Sequence, residues 1–174
     1  MNKKISNAKI VNIQKTRCIT LEGANPKTVK SVLRAAYQGK AFNLGEDKHK
    51  AVIEGGSIKK MTSHSMSRNA HRHALENLEI LMNNSLFVRS ERPEKETSKF
   101  DSYKQYVVFF DDGTEHVARI TEGIKGRDVM YDIIVSDITK EALLRELNRR
   151  PKPEFSELLS NLDDNKLVSV LQGK

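Results

Sequence analysis

Residues 103–121 read YKQYVVFFDDGTEHVARIT, two β-rich runs joined by a short turn. The run from Tyr103 to Phe110 is rich in aromatic and β-branched residues, which favours a strand. Residues 111–113, Asp-Asp-Gly, are a typical hairpin signal. Residues 114–121 alternate polar and apolar side chains, so we expect them to pair antiparallel with the first run.

Two further runs extend this hairpin into a larger sheet. Residues 86–90 form the run before it, separated by a charged stretch from 91 to 100. Residues 129–135 form the run after it, beyond a turn at 123–127. Consecutive strands with short turns predict a mainly antiparallel β-meander of about four strands, with helices packed on one face. The predicted fold class is therefore α+β.

The helical segments are predicted from capping residues and apolar spacing. Asn25 and Pro26 are an N-cap signal, and apolar residues recur at helical spacing, so residues 26–38 predict an amphipathic helix. Short strands are expected at 41–44 and 50–54, before a break at residues 55–57. A second helix is expected from about residue 64 or 66 to residue 83.

The second predicted helix carries an apolar stripe whose N-terminal end is polar. The stripe consists of Leu75, Leu78 and Met82, and three polar side chains continue it backwards: His64, Arg68 and His71. His73 should point away from it. This end of the helix therefore either emerges from the core or lines a pocket.

Three regions are expected along the chain. Residues 1–24 form an N-terminal β-rich arm and residues 25–138 an α+β domain. Residues 139–174 form a C-terminal helical tail, with a helix near 140–148 and one or two short helices within 154–171. The tail is a candidate surface for an inhibitor or another partner protein.

Composition excludes several classes of protein. The single cysteine, Cys18, excludes an internal disulfide and a cysteine-based zinc site. No run approaches the roughly 20 apolar residues of a membrane span, and no apolar run follows the basic start, as a secretory signal would require. We therefore expect a cytoplasmic protein with no membrane partner.

The positive charge is concentrated in the first third of the chain. The net charge is +7, and residues 1–60 hold 13 Lys and Arg against 4 Asp and Glu. This asymmetry favours RNA or another nucleic acid as a partner. The predicted contact surface is the polar face of the first helix, with Lys27, Lys30 and Arg34. The alternative is a solvated surface that only promotes solubility.

The segment from residue 59 to residue 73 contains the groups that metal-independent RNA cleavage needs. That reaction requires a base, an acid and cations that hold phosphate. Histidine suits the proton transfers and arginine suits phosphate. His64, Arg68 and His71 supply these groups on one face, with Lys59 and Lys60 just before them. The alternative is that these histidines are ordinary surface or capping residues.

The sheet is expected to add one more cation. His116 and Arg119 are three residues apart in a predicted strand, so they point to opposite faces. Val117 should face the core with Arg119, which places Arg119 on the helix side and His116 outside. We expect no metal ion and no cofactor, because the histidine segment lacks a face-sharing i, i+4 pair and no Gly-rich phosphate loop is present.

The order of these elements, together with a few short motifs, resembles a known group of proteins. The motifs are a Lys-x-x-Ser pattern at Lys60 and Ser63, a histidine inside the helix, and basic and hydroxyl residues on later strands. Over about residues 25–138, the chain is similar to the phage and mobile-element domains of the barnase–EndoU–colicin–RelE-like nuclease superfamily. It also resembles the large polyvalent protein-associated domains.

The resemblance implies a metal-independent ribonuclease fold with helices on a four-stranded antiparallel sheet. It would place six residues near one site: Lys60, Ser63, His71, Arg119, Tyr131 and Ser136. The chain departs from the pattern in having no clear glutamate base, since Glu76 and Glu79 lie further along the helix.

The sequence therefore predicts a small metal-independent ribonuclease-like protein, a toxin or a phage accessory protein, acting on RNA phosphodiesters. His71 would be the general acid or base and His64 its partner. Lys59, Lys60, Ser63, Arg68 and Arg119 would hold phosphate, while Tyr131 and Ser136 position it. One alternative is a non-catalytic nucleic-acid-binding or protein-interaction module of a mobile element. Another is a structural phage protein without a nucleic-acid role.

Overall fold

The computed structural model describes residues 2–149 except residues 22, 24 and 65–67. Helices and strands alternate irregularly along this part of the chain. In order they are α1 Asn2–Ser6, β1 Ile10–Asn12, α2 Pro26–Tyr37, β2 Ala41–Leu44, β3 His49–Val52, α3 Gly55–Met61, α4 Asn69–Glu76, α5 Leu78–Asn83, β4 Leu86–Glu91, β5 Ser102–Asp111, β6 Glu115–Ile124, β7 Asp128–Ser136 and α6 Lys140–Arg149.

The strands form one curled, mixed sheet of seven. The central strands β5, β6 and β7 pair antiparallel, and β4 pairs antiparallel with β5. At one side β1 pairs parallel with β5, through Ile10 opposite Phe109. At the other side β3 pairs parallel with β7, through Val52 opposite Val129, and β2 continues antiparallel from β3.

The predicted four-stranded antiparallel meander is therefore wrong as a description of the whole sheet. Strands β4 to β7 do follow one another antiparallel, but β1 and the β2–β3 hairpin enlarge the sheet through parallel pairs. Parallel pairs join segments that are distant in the sequence. No turn motif marks such a pairing, so local sequence patterns do not reveal it.

Helices cover both faces of the sheet, which also corrects the prediction of helices on one face. The larger apolar cluster packs α2 to α5 against the sheet, and its fully buried side chains include Leu33, Ile58, Leu75, Leu78 and Phe110. The smaller cluster joins α1 and α6 to the opposite face through Ile5, Val107, Phe109, Val117, Ile138, Leu143 and Leu147. Each fully buried side chain of this kind contributes roughly 1.5–3 kcal/mol to folding.

The single helix predicted up to residue 83 is two helices in the structure. They meet at Asn77, whose backbone leaves helical geometry at φ −128°. The Asn77 side chain is buried and its Nδ2 donates to the carbonyl of His73 at 2.9 Å. An asparagine that satisfies a carbonyl in this way competes with the regular helix bonds, which explains the interruption.

The break predicted at residues 55–57 is also wrong, because α3 begins there. The backbone N–H of Glu54 donates to Ser57 Oγ at 3.2 Å, which stabilises the first turn. Ile58 and Met61 are then fully buried, and this burial outweighs the low helix propensity of the two glycines.

The chain after β7 forms α6, close to the predicted helix at 140–148. Thr139 caps it, since its Oγ1 accepts from the N–H of Ala142 at 3.1 Å. The short helices predicted within 154–171 lie outside the described residues. Within the described part, no helix combines the length and the apolar character that crossing a membrane requires.

Candidate functional site

A histidine–carboxylate pair lies where the end of α3 meets β7. His64 Nε2 is 2.9 Å from Asp132 Oδ1 and 3.0 Å from Oδ2. The Asp132 side chain is 7% exposed and the His64 side chain is 28% exposed. Asp132 Oδ1 also accepts from the N–H of Ile133 at 2.8 Å, which holds the carboxylate in place. The pair thus has a buried, oriented carboxylate and a histidine that solvent reaches.

Local structure explains how His64 reaches this carboxylate. Helix α3 packs along β7, and its last turn is closed by Thr62, whose Oγ1 donates to the carbonyl of Ile58 at 2.8 Å. Ser63 Oγ donates to the carbonyl of Lys60 at 2.6 Å in the next turn. These bonds bring the chain back over the strand, so His64 precedes α4 instead of belonging to it.

His71 lies beside the pair but is buried. It is 3% exposed, and its Nε2 donates to the carbonyl of Met61 at 2.9 Å. Its ring centroid is 5.7 Å from that of His64 in an edge-to-face arrangement. Burial lowers the pKa of His71, and the charge of His64 lowers it further. The structure therefore brings the two predicted histidines together but leaves only His64 open to a substrate.

Arg68 is tied to the end of the sheet. Its Nη1 donates to the carbonyl of Val135 at 3.1 Å, and its Nη2 is 2.8 Å from Asp137 Oδ1. The same oxygen of Asp137 is 3.1 Å from His116 Nδ1. Arg68 therefore fixes the end of β7 next to the pair.

A second histidine network continues from this point. His116 Nε2 is 2.8 Å from one oxygen of Asp112, and His73 Nδ1 is 2.6 Å from the other. Burial alone would raise the pKa of Asp112, but hydrogen bonding and positive charge from His73 and His116 outweigh it and hold this pKa below its ordinary value. The network links α4 to the turn between β5 and β6; Asp112 and His116 are buried in it, while the His73 side chain is 30% exposed.

The predicted orientation of the β6 side chains is wrong. Ala118 and Ile120 belong to the larger apolar cluster, and His116 shares their face, where its ring lies 5.2 Å from that of Phe110. Arg119 alternates with them and therefore shares the α6 face with Val117. The prediction placed Arg119 with the helices because it assumed a sheet with only one covered face. Burial lowers the pKa of Arg119, while Asp132 supports its charge.

A cavity of about 560 Å³ is lined by residues that are close in the sequence to the pair, although neither His64 nor Asp132 lines it. Lys60 and Tyr131, two of the predicted site residues, line it together with Tyr103, Arg92, Lys95 and Lys99. Tyr131 directly precedes Asp132, and Lys60 lies in the last turn of α3 before His64. The cavity therefore offers cations, hydroxyl groups and aromatic rings, together with the carboxylates of Glu91 and Glu94.

The two tyrosines that line this cavity are supported by Phe100, whose ring packs on the backbone of Gly123. Phe100 packs edge-to-face on Tyr131 and Tyr103, at ring-centroid distances of 5.2 and 5.6 Å. It also lies directly on Gly123, where a Cβ atom would be 2.6 Å from the ring. Glycine at this position of β6 is therefore what allows Phe100 to support the two tyrosines.

The other predicted site residues lie apart from this cavity. Ser136 is 7% exposed at the end of β7, opposite Val117, and Lys59 is exposed on α3. On α2, which buries Val29, Leu33 and Tyr37, Lys27 and Arg34 are exposed and Lys30 is half-buried at the edge of the buried side. They form a separate basic surface.

Comparison with known proteins identifies the family. The model of large polyvalent protein-associated domain 3 matches residues 23–126. The chain belongs to this family. No curated protein and no solved structure matches it.

The part matched to large polyvalent protein-associated domain 3 runs through β2, β3, the helices around the histidine segment and most of the meander. It includes His64 and Lys60 but stops before β7, so Tyr131 and Asp132 lie beyond it. The histidine pair is thus completed by a strand that follows the matched part of the domain.

One further cluster on this domain was missed by the sequence analysis. Among the described residues, His49, Glu122 and Asp128 form a group with the composition and spacing of metal ligands. Three elements supply them, β3, β6 and β7, and long stretches of sequence separate them. The only local signal is the Asp47-Lys48-His49 stretch, where the Asp47 carboxylate contacts His49 Nδ1 at 2.6 Å.

Proposed function

We propose that the protein is a metal-independent ribonuclease in which His64, oriented by Asp132, transfers the proton. The bidentate 2.9 and 3.0 Å contact between His64 and Asp132 carries this proposal. Family membership supports a role within the large polyvalent proteins of phages and mobile elements.

The pair supports base catalysis because Asp132 fixes the tautomer of the histidine. With the Nε2 proton donated to the carboxylate, Nδ1 is the basic nitrogen of the neutral ring. Nδ1 would take the proton from the ribose 2′-hydroxyl. The 2′-oxygen then bonds to phosphorus, the bond from phosphorus to the 5′-oxygen breaks, and the departing oxygen takes a proton from water. His71, which is buried, acts as a positioning residue for His64.

The neighbouring cavity supports an RNA substrate. Four cations, Lys60, Arg92, Lys95 and Lys99, outnumber the two carboxylates that line the cavity, Glu91 and Glu94, and offer positive charge for the phosphate backbone. Tyr103 and Tyr131 offer rings on which bases stack, a contact that every base can make. A single-stranded segment held here would place a phosphate next to His64.

Cleavage of a mixed RNA pool in EDTA tests the proposal. Wild type is compared with His64→Ala and Asp132→Asn, with Lys125→Ala in the exposed β6–β7 turn as the matched control. We expect cleavage by wild type and by the control, and a rate at least about 100-fold lower for both site variants. No cleavage by folded wild type, or equal cleavage by His64→Ala, contradicts the proposal.

A second candidate function is a nucleic-acid-binding module without turnover. The observation that favours it is the basic surface of α2, where Lys27 and Arg34 are exposed and Lys30 is half-buried between them. Binding there should weaken steeply with salt and should fall when these three residues are replaced by Ala. In that case, His64→Ala should bind as wild type does, and no RNA should be cleaved.

A further inference from the structure

We propose that His49, Glu122 and Asp128 bind a divalent transition-metal ion, with Zn²⁺ as the preferred ion. The site is separate from the His64–Asp132 pair and does not depend on the ribonuclease proposal. Imidazole and carboxylate oxygen are suitable ligands for Zn²⁺, and sites with three protein ligands leave a further position for water.

The three ligand atoms already face one another. His49 Nε2 is 2.6 Å from Glu122 Oε2 and 3.7 Å from Asp128 Oδ2. Metal–ligand bonds of about 2.0–2.2 Å in tetrahedral geometry place ligand atoms roughly 3.3 Å apart. Asp128 is therefore at a suitable distance, and an entering ion has to separate His49 and Glu122 by about 0.7 Å while replacing their hydrogen bond.

Two outer contacts fix the ligands in the orientation that metal binding needs. Asp47 Oδ1 accepts a hydrogen bond from His49 Nδ1 at 2.6 Å, which directs Nε2 towards the carboxylates. The hydroxyl of Tyr106 donates to Glu122 Oε1 at 2.9 Å, which directs Oε2 towards the histidine. Carboxylate–histidine–metal arrangements of this kind are the usual surroundings of protein zinc ligands.

The cluster combines a buried anion with access from solvent. The Glu122 side chain is fully buried, whereas His49 is 20% and Asp128 33% exposed. The two residues that orient the ligands, Asp47 and Tyr106, also line a cavity of about 260 Å³.

The ion would connect two parts of the sheet. His49 begins β3 of the β2–β3 hairpin, while Glu122 and Asp128 belong to β6 and β7 of the meander. The hairpin joins the meander through a single register pair, Val52 opposite Val129. A metal ion held by all three strands would therefore clamp the hairpin onto the meander and stabilise the domain.

Calorimetric titration of the chelator-treated full chain with Zn²⁺ tests this inference. Co²⁺ serves as a second probe, because inner-sphere coordination gives visible absorption bands. We expect one ion per chain and a melting temperature that rises by about 5 °C or more at 100 times Kd. The Asp128→Asn and His49→Gln variants should bind at least about tenfold more weakly.

The matched control is His73→Gln, which removes a histidine from another carboxylate pair and should bind as wild type does. Asp128 is partly exposed at a strand start, so Asp128→Asn should fold even if His49→Gln does not, and circular dichroism verifies this. The inference is overturned if wild type binds no ion. It is equally overturned if folded Asp128→Asn binds Zn²⁺ and Co²⁺ as wild type does.

Discussion

Two histidine–carboxylate sites on the same sheet differ in the charge of the groups around them. At the His64–Asp132 pair, a single carboxylate meets the histidine, and Lys60 and Arg119 lie nearby. At His49, the carboxylate of Asp47 meets the histidine, and two further carboxylates, Glu122 and Asp128, lie close to it. A histidine–carboxylate pair is therefore suited to an anionic ligand at His64 and to a cation at His49.

The comparison teaches that a histidine–acid contact alone does not define a function. In the third such network, His73–Asp112–His116, each oxygen of the buried Asp112 carboxylate already bonds one histidine. The cavity of about 140 Å³ beside His73 is lined by neither Asp112 nor His116. We interpret this network as structural. The surroundings of each pair, and not the pair itself, distinguish proton transfer, metal binding and structural support.

The largest effect should come from Asp132→Asn. Asparagine keeps the hydrogen bond from the N–H of Ile133 but removes the charge that fixes the His64 tautomer. We expect RNA cleavage in EDTA to fall by about 100-fold or more while Zn²⁺ binding at His49 is unchanged. Rate measurements and titration on one preparation check both statements. A variant that loses metal binding and keeps cleavage would reverse the roles of the two sites.

Asp112→Asn should show the structural character of the third network. The buried carboxylate accepts from two histidines, and the replacement leaves one of them poorly paired. We expect the free energy of unfolding to fall by about 1–3 kcal/mol, measured in urea, with cleavage and metal binding per folded molecule unchanged. Lost cleavage in the folded variant would show that this network belongs to the active site.

Lys60→Ala should weaken RNA binding by roughly three- to tenfold. The slope of the logarithm of the binding constant against the logarithm of salt concentration should fall by the amount expected for about one phosphate contact. Lys59→Ala is the matched comparison, because Lys59 is exposed on the same helix but does not line the cavity. Fluorescence anisotropy at several salt concentrations measures both. Equal effects of the two variants would mean that general charge, and not the cavity, holds the RNA.

The smallest effect concerns pH. Burial lowers the pKa of His71 below its ordinary value of 6.5, so below about that pH the unfolded chain binds more protons than the folded one at this position. His71 therefore contributes to a decrease in the free energy of unfolding as the pH falls from 7.5 to 5.5. His71→Gln should lose less stability over this interval than wild type, by urea unfolding at both values. A larger loss in the variant would contradict the assignment.

Much of the local structure was predictable because it follows from periodicity and turn chemistry. The hairpin at residues 103–121, the helix that begins at Pro26 and the helix after Thr139 were all found in this way. The parallel pairs of β1 and β3 were not predictable, since no local signal marks contacts between distant segments. The interruption at Asn77 also depends on one side-chain hydrogen bond.

The candidate site was predictable only in part. The histidine segment of the sequence identified His64 and Lys60 as site residues. Asp132, the partner of His64, lies 68 residues further along the chain and belongs to no motif. The buried state of His71 depends on α3, which sequence patterns did not predict. The preference for His71 as the catalytic group therefore stays a prediction that the geometry disfavours. The His49 cluster depends on three strands coming together, which sequence spacing does not reveal.

Cleavage of RNA in EDTA by wild type, His64→Ala and His49→Gln, compared side by side, tests the central claim most directly. The account predicts cleavage by wild type and by folded His49→Gln, and loss of cleavage by His64→Ala with RNA binding retained. Equal cleavage by His64→Ala and wild type, or cleavage that requires an added metal ion and His49, would contradict it.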